Sequence, residues 1–169
     1  MVDLRLAFAA VLLSIPLAGC DDDDGGPLVA TVSNDECVSG RRWVGGNEGS
    51  PQMHPGGDCI ACHATNGGPE FLIAGTVYEL FAEPNECFGF EGATVEIVDA
   101  NGREISLPTN EAGNFYLAAN DGPVAMPYRA SVVVNGATRL MNTMQVNGSC
   151  SSCHTATGAS GAPGRIVIP

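Results

Sequence analysis

Two of the chain's three histidines sit directly behind a Cys-x-x-Cys pair, in Cys59-Ile60-Ala61-Cys62-His63 and Cys150-Ser151-Ser152-Cys153-His154. Two thiols at this spacing can each add across one vinyl group of a porphyrin. The imidazole that follows can then bind the iron from one face. Cys59, Cys62, Cys150 and Cys153 are therefore read as the attachment points of two covalent haems, with His63 and His154 as the proximal ligands.

Rival uses of the thiols fit less well. A four-thiolate zinc site could be assembled from the two pairs, and zinc is the competing cofactor. However, 87 residues lie between Cys62 and Cys150, far beyond the roughly 15–20 of a zinc ribbon, and the trailing histidines would have no role. A thioredoxin-like pair belongs at a helix start after a strand, which neither motif suggests. Two tight disulfides are the plainest alternative. For the sixth iron ligand the candidates are His54, the one remaining imidazole, and the thioethers Met53, Met126, Met141 and Met144. His54, which could serve either iron, Met53 and Met144 are the favoured candidates. A Met ligand raises the potential relative to a second His. The chain contains no Lys.

The elements around these motifs read as β structure. Residues 28–69 are rich in Gly, Pro, Asn and Ser and show no helical or strand period beyond 28–32. We read 28–70 as an irregular arm given order by the haem, with Trp43 either packing on the haem or anchoring the arm. From Phe71 apolar and polar residues alternate over 74–80, 93–98 and 128–134, the pattern of an antiparallel sandwich. Asn101-Gly102 and Asn135-Gly136 are read as two-residue hairpin turns, the second joining 129–134 to 137–141. Phe115 and Leu117 should face one side, Asn114 and Tyr116 the other. Residues 165–168 offer a last edge strand. No long amphipathic helix is expected. The fold class is thus mainly β, an antiparallel β-sandwich (71–146) flanked by the haem-binding segments 28–70 and 147–169. An odd number of strands would place those segments at opposite poles.

The net charge of −12, with all seven basic residues Arg, argues against nucleic acid and for a cationic protein partner. Residues 4–17 form an apolar run too short to span a bilayer and suited to a secretory signal. It ends in Leu17-Ala18-Gly19-Cys20, which resembles the bacterial lipobox. That resemblance implies a signal peptide over 1–19, lipidation at Cys20 and anchoring to a bacterial membrane. Residues 20–27, with four consecutive Asp, read as a hydrated tether. Of seven cysteines, Cys20 takes lipid and four take haem. Cys37 and Cys87 remain, and an exported chain permits them to form a disulfide.

Two resemblances complete the reading. The Cys-x-x-Cys-His pair resembles the motifs of multihaem c-type cytochromes. Gly75-Thr76-Val77, the stretch from Gly92 to Gly102 and Thr109-Asn110-Glu111-Ala112-Gly113-Asn114-Phe115-Tyr116-Leu117 resemble the carboxypeptidase regulatory-like, transthyretin-related sandwich. This second match covers about a third of the chain and implies a fold but no catalytic residue. The expected function is electron carriage to or from an extracytoplasmic redox protein, by a membrane-anchored dihaem lipoprotein that is a carrier rather than a catalyst. Two alternatives stand beside it. One is a non-redox surface module for adhesion, with its Cys pairs as disulfides or a zinc site. The other is an enzyme with an open haem coordination position.

Overall fold

The computed structural model describes residues 28–46 and 49–169. The expected signal peptide (1–19), lipidation at Cys20 and acidic tether (20–27) lie outside the described residues.

The chain is mainly β. It contains β1 (Val29–Thr31), β2 (Arg41–Trp43), α1 (Cys59–Asn66), β3 (Phe71–Tyr78), β4 (Thr94–Val98), β5 (Glu104–Pro108), β6 (Asn114–Ala118), β7 (Arg129–Val134), β8 (Ala137–Leu140) and β9 (Ile166–Val167). β1 and β2 pair as a small ribbon. The remaining strands make a three-stranded sheet, ordered β6-β3-β9, and a four-stranded sheet, ordered β5-β4-β7-β8. Alternation with period two gives each sheet one apolar face. Ile73, Val77, Phe115 and Leu117 of the first sheet meet Val95, Ile97, Ile105, Leu107 and Val132 of the second in one buried core. This is the expected sandwich.

The hairpins follow their turn residues. Asn135 and Gly136 both adopt positive φ, at 50° and 83°, and Val134 pairs with Ala137 across them. The Asn101-Gly102 hairpin differs from expectation. Gly102 has φ 78° but Asn101 does not, the Gly102 N–H donates to Asp99 O (3.0 Å), and the Asp99 N–H donates to Arg103 O (3.0 Å). The loop is therefore three residues long with a bulge at Gly102. Asp99 drives the extension. Its Oδ1 accepts the N–H groups of Asn101 (2.8 Å) and Arg103 (2.9 Å), and its Oδ2 that of Ala125 (3.1 Å).

Phe115 and Leu117 are buried and Tyr116 is exposed, as the pleat requires. Asn114 shares the outer face with Tyr116 yet is buried, because the arm lies across it. Its amide donates to Pro51 O (3.2 Å) and Met53 O (3.0 Å) and accepts from Thr76 Oγ1 (2.7 Å), which itself takes the Gly56 N–H at 2.8 Å. The arm is fixed at its other end by a Cys37–Cys87 disulfide with a 5.3 Å Cα–Cα separation. Trp43 packs there with Phe88 and Ala112, so it is an anchor of the arm.

The arm is more regular than its composition suggests. Besides β1, it contains β2 and the two-turn helix α1. Asp58 caps α1 by accepting the Ala61 N–H at 3.1 Å, and Gly67 closes it in the left-handed conformation with φ 79°. Eight residues are too few to show a helical period, and no residue of α1 is fully buried.

Candidate functional site

The two Cys-x-x-Cys-His motifs lie side by side on β3, not at opposite poles. The first forms α1 and leads directly into β3. The second returns to β3 from the far end of the sandwich. Ser149 bridges Ala74 in parallel, and the Ala74 N–H donates to Gly148 O at 3.0 Å. β9 then pairs in parallel with the end of β3, Val77 with Ile166 and Tyr78 with Val167. Six strands, β3 to β8, lie between the motifs, so the odd count that would put them at opposite poles does not occur, and the chain beyond β8 returns to β3.

Two glycines allow this approach. A Cβ on Gly75 would lie 2.9 Å from both the Cys150 Cβ and the Phe115 ring, and one on Gly148 would lie 1.7 Å from Leu72 O. The residues just ahead of the motifs also bond to each other, with the Ser149 hydroxyl donating to Asp58 Oδ1 at 2.5 Å.

The motifs share internal geometry. Each leading thiol, Cys59 and Cys150, donates to the carbonyl two residues earlier, that of Gly57 or Gly148, at 3.6 Å. Each histidine is held through Nδ1 by a backbone carbonyl at 2.8 Å, His63 by Pro69 O and His154 by Gly164 O. A carbonyl can only accept, so the proton sits on Nδ1 and Nε2 is the ring nitrogen left to meet a metal. This orienting bond is the usual companion of a ligating histidine.

The surroundings of the two motifs differ. The second borders a predominantly apolar cavity of about 420 Å³, where Val132 of β7, Leu140 of β8, Phe115 of β6 and Val167 of β9 face Cys150, Cys153 and His154. Ligand pockets span roughly 300–1,000 Å³. The first motif has only a cleft of about 40 Å³, lined by Met53, Cys59, His63, Phe71 and Tyr116. There His63 lies 4.7 Å from Phe71, and Phe71 stacks on Tyr116 at 4.7 Å. This forms an aromatic shelf and not a pocket, which suits a group tethered by covalent bonds.

The thiol chemistry fits attachment better than the rival uses. All four motif cysteines are free thiols. Burial pushes Cys59 up to about 11 and Cys150 up to about 12, the opposite of the depressed pKa that a redox-active pair requires. Among the described residues, the one group with three ligand-type atoms clustered is Cys37, Glu83 and Cys87. Two of these are joined in the disulfide, and the four motif thiols form no such group. The residues that would hold covalent haem are present at both positions, and a cavity of ligand size adjoins the second alone.

The sixth-ligand candidates separate by position. Met53 lines the first cleft. His54 is turned to Glu86, with Nδ1 at 3.1 Å from its carboxylate, and lies edge-on to Trp43 at 6.3 Å. It lines neither cavity. Met144 is exposed and absent from the cavity wall, whereas Met141 is part of that wall. Nearness to Cys150 along the chain favours Met144 on sequence, and its neighbours Thr143 and Gln145 do line the cavity, but Met144 itself is exposed. Met126 is exposed at the surface.

Comparison with protein-family models, curated proteins and solved structures yields no match to this chain.

Proposed function

We propose that the protein is an exported dihaem c-type cytochrome, lipid-anchored through Cys20, that carries single electrons to or from an extracytoplasmic redox protein. One observation above all supports this reading: two histidines, each directly behind a Cys-x-x-Cys pair, are oriented in the same way by a backbone carbonyl on Nδ1. Disulfide staples or an adhesion module would give no reason for that repetition.

In this reading Cys59, Cys62, Cys150 and Cys153 form the thioethers, and His63 and His154 are the proximal ligands. Met53 and Met141, each sharing a cavity with its histidine, take the sixth positions. Bound haem supplies reversible one-electron chemistry, with a potential set by its ligands and surroundings. The sandwich holds both motifs against one strand. The acidic surface, at a net −12, guides a basic partner to the chain.

Pyridine haemochrome spectroscopy on protein matured with a haem c ligation system tests the proposal. The expected spectrum is that of haem c with both vinyl groups saturated, at two per chain. Colourless protein with Cys59 linked to Cys62 would instead favour the non-redox surface module.

A further inference from the structure

Resting on the dihaem reading, we propose that the two haem sites form one electrically coupled unit, in which electrons pass between the sites inside a single chain.

The segments that carry the two motifs are locked together at two separate places. Beside the leading cysteines, the Ser149 hydroxyl donates to Asp58 Oδ1 at 2.5 Å. Behind them lies Arg165, which is 1% exposed. Its Nη1 donates to Gly56 O (3.1 Å), three residues ahead of Cys59, and to His154 O (3.4 Å), the carbonyl of the second motif's histidine. One nitrogen therefore bridges the approach to the first motif and the end of the second. Both segments also take their place from the same stretch of β3. There Thr76 Oγ1 accepts the Gly56 N–H at 2.8 Å, and the Ala74 N–H donates to Gly148 O at 3.0 Å. The leading thiols are near enough to interact. Burial raises Cys150 to about 12, and the charge of a Cys59 thiolate adds to that rise.

Covalent attachment turns this proximity into a constraint on the cofactors. Thioethers root one ring at Cys59 and Cys62 and the other at Cys150 and Cys153. Whichever way each ring lies, its iron stays within half a macrocycle of its own sulfurs. Reduction lowers the charge at an iron by one, so an electron held at one site repels the next electron arriving at the other. For unit charges about 12 Å apart at an effective dielectric of about 20, that repulsion is roughly tenfold in an equilibrium constant. Exchange between the sites is balanced within the chain, since one iron loses the electron that the other gains. The external redox protein supplies or removes electrons one at a time, and no second copy of the chain is needed to relay them.

Spectroelectrochemical titration and electron paramagnetic resonance of the full haem-loaded chain test this. The comparison proteins are Cys59→Ser/Cys62→Ser and Cys150→Ser/Cys153→Ser, each of which retains one site. The gap between the two waves of the full chain should exceed the gap between the single-site midpoints by on the order of tenfold in equilibrium, about 59 mV for a one-electron couple. In the oxidised full chain, magnetic interaction should broaden each ferric signal, and reduction of one site should sharpen the signal of the other. A gap equal to that of the single-site proteins, or a ferric signal indifferent to reduction of its neighbour, would overturn the proposal. If a single-site protein fails to fold, the resonance of the unaltered chain at half reduction still decides. A chain whose intact mass shows no covalent haem would instead defeat the dihaem reading itself.

Discussion

The Ser149 hydroxyl donates to the Asp58 carboxylate at 2.5 Å, so the residues immediately preceding the two motifs are joined side chain to side chain. Asp58 also caps α1 through the Ala61 N–H. One carboxylate thus secures the first motif's helix and the second motif's approach. Asp58→Ala is expected to cost about 1 kcal/mol for the lost cap plus its coupling to Ser149. A double-mutant cycle with Ser149→Ala, followed by chemical denaturation, should give a coupling energy in the range of about 0.5–3 kcal/mol. Strict additivity would show that the contact contributes nothing.

Gly75 is where the second motif rests on β3. Gly75→Ala puts a methyl group 2.9 Å from the Cys150 Cβ and from the Phe115 ring. Overpacking of this kind costs about 1–3 kcal/mol, and Cys150 is the neighbour able to move. The variant should carry one haem in place of two, with peptide mapping placing the survivor at Cys59 and Cys62. Full loading at both positions would mean that the strand gives way instead.

The Cys37–Cys87 bridge spans 50 residues, for which loop-closure entropy predicts about 4 kcal/mol of stabilisation. It ties the arm to the connection between β3 and β4. There the Trp43 N–H donates to Glu86 O at 2.8 Å and the Phe88 N–H to Arg41 O at 3.0 Å. Replacing both cysteines with Ala should lower the denaturation midpoint and expose the arm to proteases before the sandwich. Cleavage starting within β4–β7 would contradict that order.

The β4–β5 loop gives a pH dependence of known sign. The Arg103 N–H first, and then that of Ala125, hold the Asp99 carboxyl below its ordinary value of 3.8. A depressed carboxyl stabilises the fold above its unfolded pKa, and that contribution is lost as pH falls through the folded value. Asp99→Asn should therefore destabilise the protein near neutrality, since its amide cannot accept the Ala125 N–H. It should also flatten the stability profile below about pH 4. Parallel acid profiles for the two proteins would rule out this role.

How much of the molecule could be read in the sequence differed by element. The alternation in β3, β4 and β7 and the turn at Asn135-Gly136 announced the sandwich, because both signals are local. The Cys37–Cys87 pairing followed from counting thiols. The helix α1 escaped notice, although its capping residues Asp58 and Gly67 stand in plain view, since two turns show no period. The meeting of the motifs on β3 was not legible. It depends on a parallel return of the chain, set by Gly75, Gly148 and the buried Arg165 and not by any local pattern. Nor does the sequence tell Met141 from Met144: both lie in a segment that borders the cavity, and which side chain joins its wall depends on local backbone direction.

The central claim is tested most directly by the intact mass of the purified chain after maturation with a haem c ligation system. The account predicts a mass equal to the processed, lipidated peptide plus two haems, falling by one haem in Cys59→Ser/Cys62→Ser and by one in Cys150→Ser/Cys153→Ser. A mass with no haem increment, or one unchanged by either pair of substitutions, would contradict it.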